Sequence, residues 1–320
     1  MSLPMHQDHT TEGDLPFPRR FWIYQKERFP LFGHGVLIAV FTFSAIAYSR
    51  ICRGQYGFIA WSDYLIGVAA TITLFFLVRV FDEFKDREED ARYRSYLPVP
   101  RGLIALHELR SVGLMVGVLQ IAMIAWWQPR MLPLYILVIG YLLLMGKEFF
   151  VPSWLKARQL LYITSHMVII PLIDLYSSGL DWRLENDQPH LGLLFFLAVS
   201  YMNGIVLEFG RKLRAPGYEE EGVVSYTALW GTRGGTIAWL GTLAVTFLIA
   251  CTAAHFAALG IVVHAVLIVG YVGCALPALC FLRTPTAKLT KWIEHASAAW
   301  TILMYLSLGG ITMLIRLFGT

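Results

Sequence analysis

Residues 79–90 read Arg-Val-Phe-Asp-Glu-Phe-Lys-Asp-Arg-Glu-Glu-Asp and follow directly on a long apolar stretch. Carboxylates at this density repel one another unless positive charge sits among them. On a continuous helix turning about 100° per residue, Asp86, Asp90, Glu83 and Glu89 lie about 40°, 80°, 100° and −20° from Asp82. These acids would share one face, with Glu88 pointing away and Arg79 in the same stripe one turn deeper. Mg2+ suits hard oxygen ligands of this kind, since it takes one or two carboxylates and completes its shell with phosphate oxygens. The implied chemistry is metal-assisted handling of a phosphorylated substrate, with Asp82, Glu83, Asp86 and Asp90 as candidate ligands and Arg79 and Arg94 as candidate phosphate contacts. The plainer alternative is a solvated helix end whose acids pair with Lys85, Arg87, Arg92 and Arg94.

A second polar cluster spans Glu208 to Gly222 and includes Arg211, Lys212, Arg214, Glu219 and Glu220. Glu208 and Lys212 stand one helical turn apart, which also fits an ordinary surface ion pair worth about 0.3 kcal/mol. Read for chemistry, Glu208 is a candidate metal ligand, while Arg211, Lys212 and Arg214 contact phosphate. Arginine can grip phosphate through two parallel hydrogen bonds. A third group, Lys147, Glu148, Lys156 and Arg158, follows another apolar segment. Lys156 and Arg158 are its candidate diphosphate contacts, against the plainer view that such cations only mark topology.

The elements that must carry these clusters are membrane-grade. The 320-residue chain is 57% hydrophobic and 15% charged, with a mean hydropathy of +0.57. A soluble chain would have about 25% charged residues. Apolar runs at about 31–49, 63–81, 103–127, 131–146, 158–176, 190–207, 236–256, 259–281 and 297–317 are long enough for helices crossing a bilayer core of about 30 Å. None alternates in the manner of a membrane β-strand. The expected fold is therefore all-α, a polytopic bundle of about nine transmembrane helices. Residues 1–30 form a polar cytoplasmic segment, and residues 31–320 form one transmembrane domain.

Lys and Arg concentrate in the N-terminal segment and after the second, fourth, sixth and eighth spans, leaving Arg50, Arg53, Arg130, Arg183 and Arg316 on the other side. That bias predicts an N-terminus and three polar clusters facing the cytoplasm. Asp174, Asp181, Glu185 and Asp187 are expected in a solvated loop at the opposite face. The net charge of +4 is ordinary for a cytoplasmic membrane face and gives no reason to invoke nucleic acid. Cys52, Cys251, Cys274 and Cys280 lack CxxC spacing, so neither a zinc site nor a disulfide framework is indicated. No HExxH, P-loop or GxSxG pattern occurs, and the histidines in the apolar segments are isolated.

These features together resemble the UbiA superfamily of intramembrane prenyltransferases across roughly residues 30–317. The family's first motif, Asn-Asp-x-x-Asp-x-x-x-Asp, falls on Asp82, Glu83, Asp86 and Asp90, with Asp replacing Asn and Glu replacing the first Asp. The family's Pro-x-Pro-x-Gly matches Pro98, Pro100 and Gly102, with Leu97 where an Arg usually precedes the Pro. Its Leu-Lys-Arg is similar to Leu155-Lys156-Ala157, with Arg158 one place late. The second aspartate motif departs most: Glu208 takes the first acidic position and Lys212 a later one, before the matching tail Gly222–Gly231, so the resemblance implies either one metal fewer or Glu219 or Glu220 as the substitute ligand.

The resemblance implies a Mg2+-dependent enzyme that ionises an isoprenyl diphosphate and transfers the prenyl group to a lipophilic acceptor. Aromatic side chains along the spans would shield the allylic cation. A terpene cyclase that captures the cation intramolecularly is the alternative, motivated by the altered second motif. An ion-coupled transporter is the alternative from another class, since intramembrane carboxylates often mark ion paths. The clustering of the acids at one predicted face argues for the enzyme.

Overall fold

The computed structural model describes residues 12–219 and 224–319. Among them, nine helical spans are long and apolar enough to cross a membrane, in agreement with the all-α expectation. Lipid offers no hydrogen bonds, so a spanning segment has to satisfy its own backbone, as a helix does. The protein is an integral membrane helical bundle.

Its order is α1 (Phe17–Arg28), α2 (Leu31–Cys52), α3 (Trp61–Lys85), α4 (Arg87–Tyr93), α5 (Leu106–Trp127), α6 (Leu132–Gly146) and α7 (Pro152–Lys156). Then come α8 (Gln159–Met167), α9 (Ile169–Trp182), α10 (Gly192–Arg211), α11 (Tyr226–Phe256), α12 (Ile261–Arg283), α13 (Ala287–Tyr305) and α14 (Ile311–Phe318). Helices α8 and α9 make one broken span, and α13 and α14 make another, joined by a π-helical turn at Leu306–Gly310.

Packing alternates around the bundle: α10 lies on α11 and α13, α12 lies on α13, and α2 lies on α9 and the π turn. One core joins α2, α10, α11 and α13 through Tyr48, Phe196, Trp239 and Trp300. Another joins α3, α6 and α9 through Leu74, Tyr135 and Tyr176. The π turn approaches α2 so closely that a Cβ on Gly309 would strike the Ser44 carbonyl, so the contact requires glycine.

The described part of the N-terminal segment carries a helix docked on the bundle. Helix α1 lies against the ends of α3 and α5, packing Phe21, Tyr24 and Phe29 around Phe76, Val80 and Leu109. Two ion pairs fasten it: Arg20 to Glu108 at 2.6 Å and Arg28 to Glu83 at 2.7 Å.

Of the acids at the opposite end, Glu185 and Asp187 do lie exposed in the loop after α9, but Asp174 and Asp181 are buried within α9. Asp181 is fully buried and receives Ser49, Arg50 and Arg53 at 2.7, 2.9 and 2.6 Å. Glu185 and Asp187 extend this network to the same arginines, tying α2 to the end of α9. Asp174 lies deeper and accepts hydrogen bonds from the Ser200 and Tyr305 hydroxyls. Buried carboxylates need such partners because desolvation of an unpaired charge is costly.

Candidate active site

Helix α3 does not run through its acidic end. It stops at Lys85, Asp86 adopts φ −93° and ψ 8°, and α4 starts at Arg87. Like charges one turn apart disfavour a continuous helix, and the acids fall into two sets, Asp82 with Asp86 and Glu83 with Asp90, since Asp82 and Glu83 already stand about 100° apart on α3. The five-carboxylate face expected from sequence is therefore not formed.

The first set faces the bundle. Lys85 Nζ stands 3.2 Å from Asp82 Oδ1 and 3.9 Å from Asp86 Oδ1, and lies 5.6 Å from the Tyr162 ring centre. Burial, together with the nearby carboxylates Asp82, Asp90 and Glu89, pushes the Asp86 carboxyl up to about 6, although Lys85 opposes the rise.

The second set belongs to the α1 clasp. Glu83 is almost wholly buried and is held by Arg28 at 2.7 Å and Arg79 at 2.9 Å. Asp90, also buried, pairs with Arg94 at 3.0 Å and approaches Arg28 at 4.0 Å. A cleft of about 180 Å³ beside them is lined by Glu83, Arg87, Asp90, Val99 and Pro100, among others. Its acids are already neutralised by arginine. Arg79 bridges the two sets, reaching 3.8 Å from Asp82 as well.

Across from the first set, the end of α10 presents Glu208, which receives Arg211 at 2.6 Å and Lys212 at 2.7 Å. Asp82 and Arg211 are close enough to interact electrostatically, so the first and second sequence clusters do meet. Above them Gly231 takes φ 71° and ψ 164°, a conformation open essentially to glycine alone. The turn it breaks from α11 carries Tyr226 and Trp230, which stack on each other and close against Phe209.

The third wall is α8. Pro171 lacks the N–H that would continue the helix and its ring crowds the carbonyl four residues back, so the span breaks at Val168. Tyr141 and Tyr201 donate to the freed Ser165 and Thr164 carbonyls at 2.5 and 3.1 Å. This fixes Tyr162 and His166, whose rings stack at 4.1 Å. Beside them, three successive left-handed residues, Glu148, Phe149 and Phe150, turn the Glu148 carboxylate inward, where it is buried and lies 3.6 Å from Lys156.

Several predicted contacts lie elsewhere. Arg158 covers the Trp154 ring at 4.4 Å, and Arg214 donates to the Arg211 and Leu213 carbonyls, which closes the end of α10. Glu219 is exposed and accepts from the Gly217 amide at 2.9 Å. Arg94 is taken up by Asp90, and Lys156 reaches the site only through Glu148. Glu220 lies outside the described residues. Sequence reasoning took His166 as an isolated span histidine, and gave Tyr162 and Tyr226 no role beyond that of one span aromatic among many and a member of the motif tail; the four-residue spacing of Tyr162 and His166 ahead of Pro171 was the one signal for that pair.

Among the described residues, no three His, Cys, Asp or Glu side chains converge as a ready-made metal cage. Asp82 and Asp86 are nevertheless two hard oxygen donors beside three cations. That donor set fits Mg2+ arriving with a diphosphate better than a metal held by protein alone.

No family profile matches the chain, and no curated protein is detectably similar in sequence. Solved structures do match. A UbiA homologue from Aeropyrum pernix K1 superposes with a TM-score of 0.64 at 14% identity, over 89% of this chain and 98% of that one. A digeranylgeranylglyceryl phosphate synthase gives 0.62 at 12% identity, over 92% and 99%. This chain has a UbiA-type fold. The similarity covers nearly the whole of both structures, so the bundle that positions α3, α8 and α10 is shared in full, while the side chains on it are largely different.

Proposed function

We propose that this UbiA-type protein is a membrane prenyltransferase: it ionises an isoprenyl diphosphate and transfers the prenyl group to a lipophilic acceptor. The observation that carries the reading is the meeting of Asp82 and Asp86 from the end of α3 with the Glu208–Arg211–Lys212 group from α10 at one end of the bundle. The accumulation of Lys and Arg in the segments at that end supports a cytoplasmic orientation.

Asp82 and Asp86 would hold Mg2+, which when bound supplies positive charge for the phosphate oxygens and so favours departure of pyrophosphate. Lys85, Arg211 and Lys212 supply further charge where the leaving group becomes more negative. These cations are paired with Asp82, Asp86 and Glu208, so they would have to exchange those partners for phosphate oxygens when substrate binds. Glu83 and Asp90 hold α1 and α4 in place and so set the position of Asp82 and Asp86. Aromatic side chains at this end of the bundle, Phe149, Tyr226 and Trp230 among them, would favour a nearby carbocation. The apolar interior below would take the prenyl chain and keep water from it.

The test is incubation of purified protein with Mg2+ and C10 to C20 prenyl diphosphates, with and without lipophilic acceptors, measuring pyrophosphate and products. Metal-dependent pyrophosphate release with acceptor prenylation supports the reading. Volatile hydrocarbons formed without acceptor would assign a terpene cyclase instead. Transport of substrate across proteoliposomes without pyrophosphate release would overturn both.

A further inference from the structure

Resting on the prenyl-transfer reading, we propose that His166 is the general base of the transfer step, taking through Nε2 the proton of a hydroxyl-bearing lipid acceptor.

The tautomer is set by the backbone. His166 Nδ1 lies 2.8 Å from the Tyr162 carbonyl oxygen, which can only accept, so Nδ1 carries the hydrogen. In the neutral ring Nε2 then holds a lone pair. His166 is 5% exposed, and Nε2 is buried with no hydrogen-bond partner among the described residues. Buried polar atoms are rarely left in that condition, and an exception calls for a ligand or a chemical role.

Its position fits proton transfer. His166 lies one turn beyond Tyr162 along α8, deeper in the bundle than the charged ends of α3 and α10. Lys85 and Asp82 on α3 and Glu208 on α10 are the charged groups that act on it. The Tyr162 ring stacks on one side, and Phe149 meets it edge-on at 5.9 Å. A diphosphate bound between Lys85 and Arg211 would lie within electrostatic range of His166, on which Lys85, Asp82 and Glu208 all act.

The step balances. The C1–O bond of the prenyl diphosphate breaks and pyrophosphate leaves with the electron pair. A lone pair of the acceptor hydroxyl oxygen forms the new C1–O bond, and the hydroxyl proton passes to Nε2. In a site that excludes water, the proton needs a local acceptor of this kind.

The experiment uses full-length protein in detergent with geranylgeranyl diphosphate and Mg2+, and with a 4-alkylphenol and a glycerol monoether as hydroxyl probes. Pyrophosphate and ether product are followed together. For His166→Gln, ether formation should fall at least ~100-fold, the range expected when a general base is lost, while pyrophosphate release falls less and the difference appears as prenyl alcohol or eliminated hydrocarbon from the uncaptured cation. Added imidazole should restore ether formation to His166→Ala, a response that a merely structural role would not give. Equal loss of both readouts without rescue, or unchanged ether formation, overturns the assignment. A wild-type protein that releases pyrophosphate but alkylates neither probe overturns the hydroxyl-acceptor inference alone. No pyrophosphate release from wild type would overturn the prenyl-transfer reading beneath it.

Discussion

Lys85 Nζ and Asp82 Oδ1 lie 3.2 Å apart, with Asp86 Oδ1 3.9 Å from the same ammonium. One lysine thus neutralises both candidate metal ligands and rests on Tyr162. The consequence would be competition: a divalent ion bound at Asp82 and Asp86 would have to displace the ammonium, leaving it free for phosphate oxygens.

Lys85→Met should therefore strengthen Mg2+ binding in the absence of diphosphate, by about tenfold if roughly 1.4 kcal/mol of competition is removed. Prenyl diphosphate turnover should fall, because a cation facing the leaving group is lost. Calorimetric titration with Mg2+, paired with pyrophosphate release, checks both directions.

Asp86 carries a prediction about pH. Its carboxyl is raised to about 6 in the folded protein, first by burial and then by neighbouring carboxylates. The folded state therefore holds this proton more tightly than the unfolded chain does. Ionising Asp86 costs stability, and the cost accumulates as pH rises from about 4 to 6 and persists above. Asp86→Asn should raise thermal stability at neutral pH by about 1–2 kcal/mol after allowance for partial solvent exposure. Mg2+ affinity of the wild type should weaken as pH falls through about 6. Thermal unfolding at acidic and at neutral pH tests the first point, and metal titration under the same two conditions tests the second.

Glu83 and Asp82 are adjacent in sequence yet should behave oppositely. Removing the Glu83 charge leaves Arg28 and Arg79 without their shared partner, and breaking a buried pair costs about 3–5 kcal/mol. Glu83→Gln should lower the Tm markedly while Mg2+-dependent pyrophosphate release survives at low temperature. Asp82→Asn should spare the Tm and lose the release. Comparing the two variants in thermal unfolding and activity separates the clasp from the site.

The two special glycines fail for different reasons. At Gly231 no atom stands within 4 Å of the place an added methyl would take, so Gly231→Ala costs only conformational strain, about 1–3 kcal/mol. At Gly309 the added methyl meets the Ser44 backbone carbonyl, so Gly309→Ala forces α2 and the π turn apart at a cost of about 1–3 kcal/mol. Both should lower the Tm. Only Gly231→Ala should also perturb the site, through displacement of Tyr226 and Trp230, which fluorescence of the tryptophans reports.

The span pattern was legible because lipid demands long apolar helices, and their composition stands out whatever the neighbours are. The convergence of Asp82, Asp86, Glu208, Arg211 and Lys212 was also legible, from charge clustering at one predicted face. What the pattern hid was the break at Asp86. A wheel drawn through residues 79–90 assumes one axis, and a single residue with ψ near 8° redirects everything after it. Glu83, before the break, and Asp90, after it, both meet Arg28, a partner 55 residues from Glu83 in sequence, which local spacing cannot reveal. Asp181 was misread in the same way, since its partners Arg50 and Arg53 stand on and just beyond a different span. His166 went unread because an isolated histidine in an apolar run has no sequence signature; its lone pair is defined only by the Tyr162 carbonyl and the burial around it.

A metal-diphosphate site at Asp82 and Asp86 is tested most directly by Mg2+-dependent pyrophosphate release from geranylgeranyl diphosphate, measured for the wild-type protein and for Asp86→Asn in detergent. Release by the wild type that requires Mg2+ and drops at least ~100-fold in a folded Asp86→Asn protein is the predicted result, equivalent to about 2.7 kcal/mol or more of lost barrier lowering. Release that continues unchanged in Asp86→Asn, or that ignores removal of Mg2+, would contradict it.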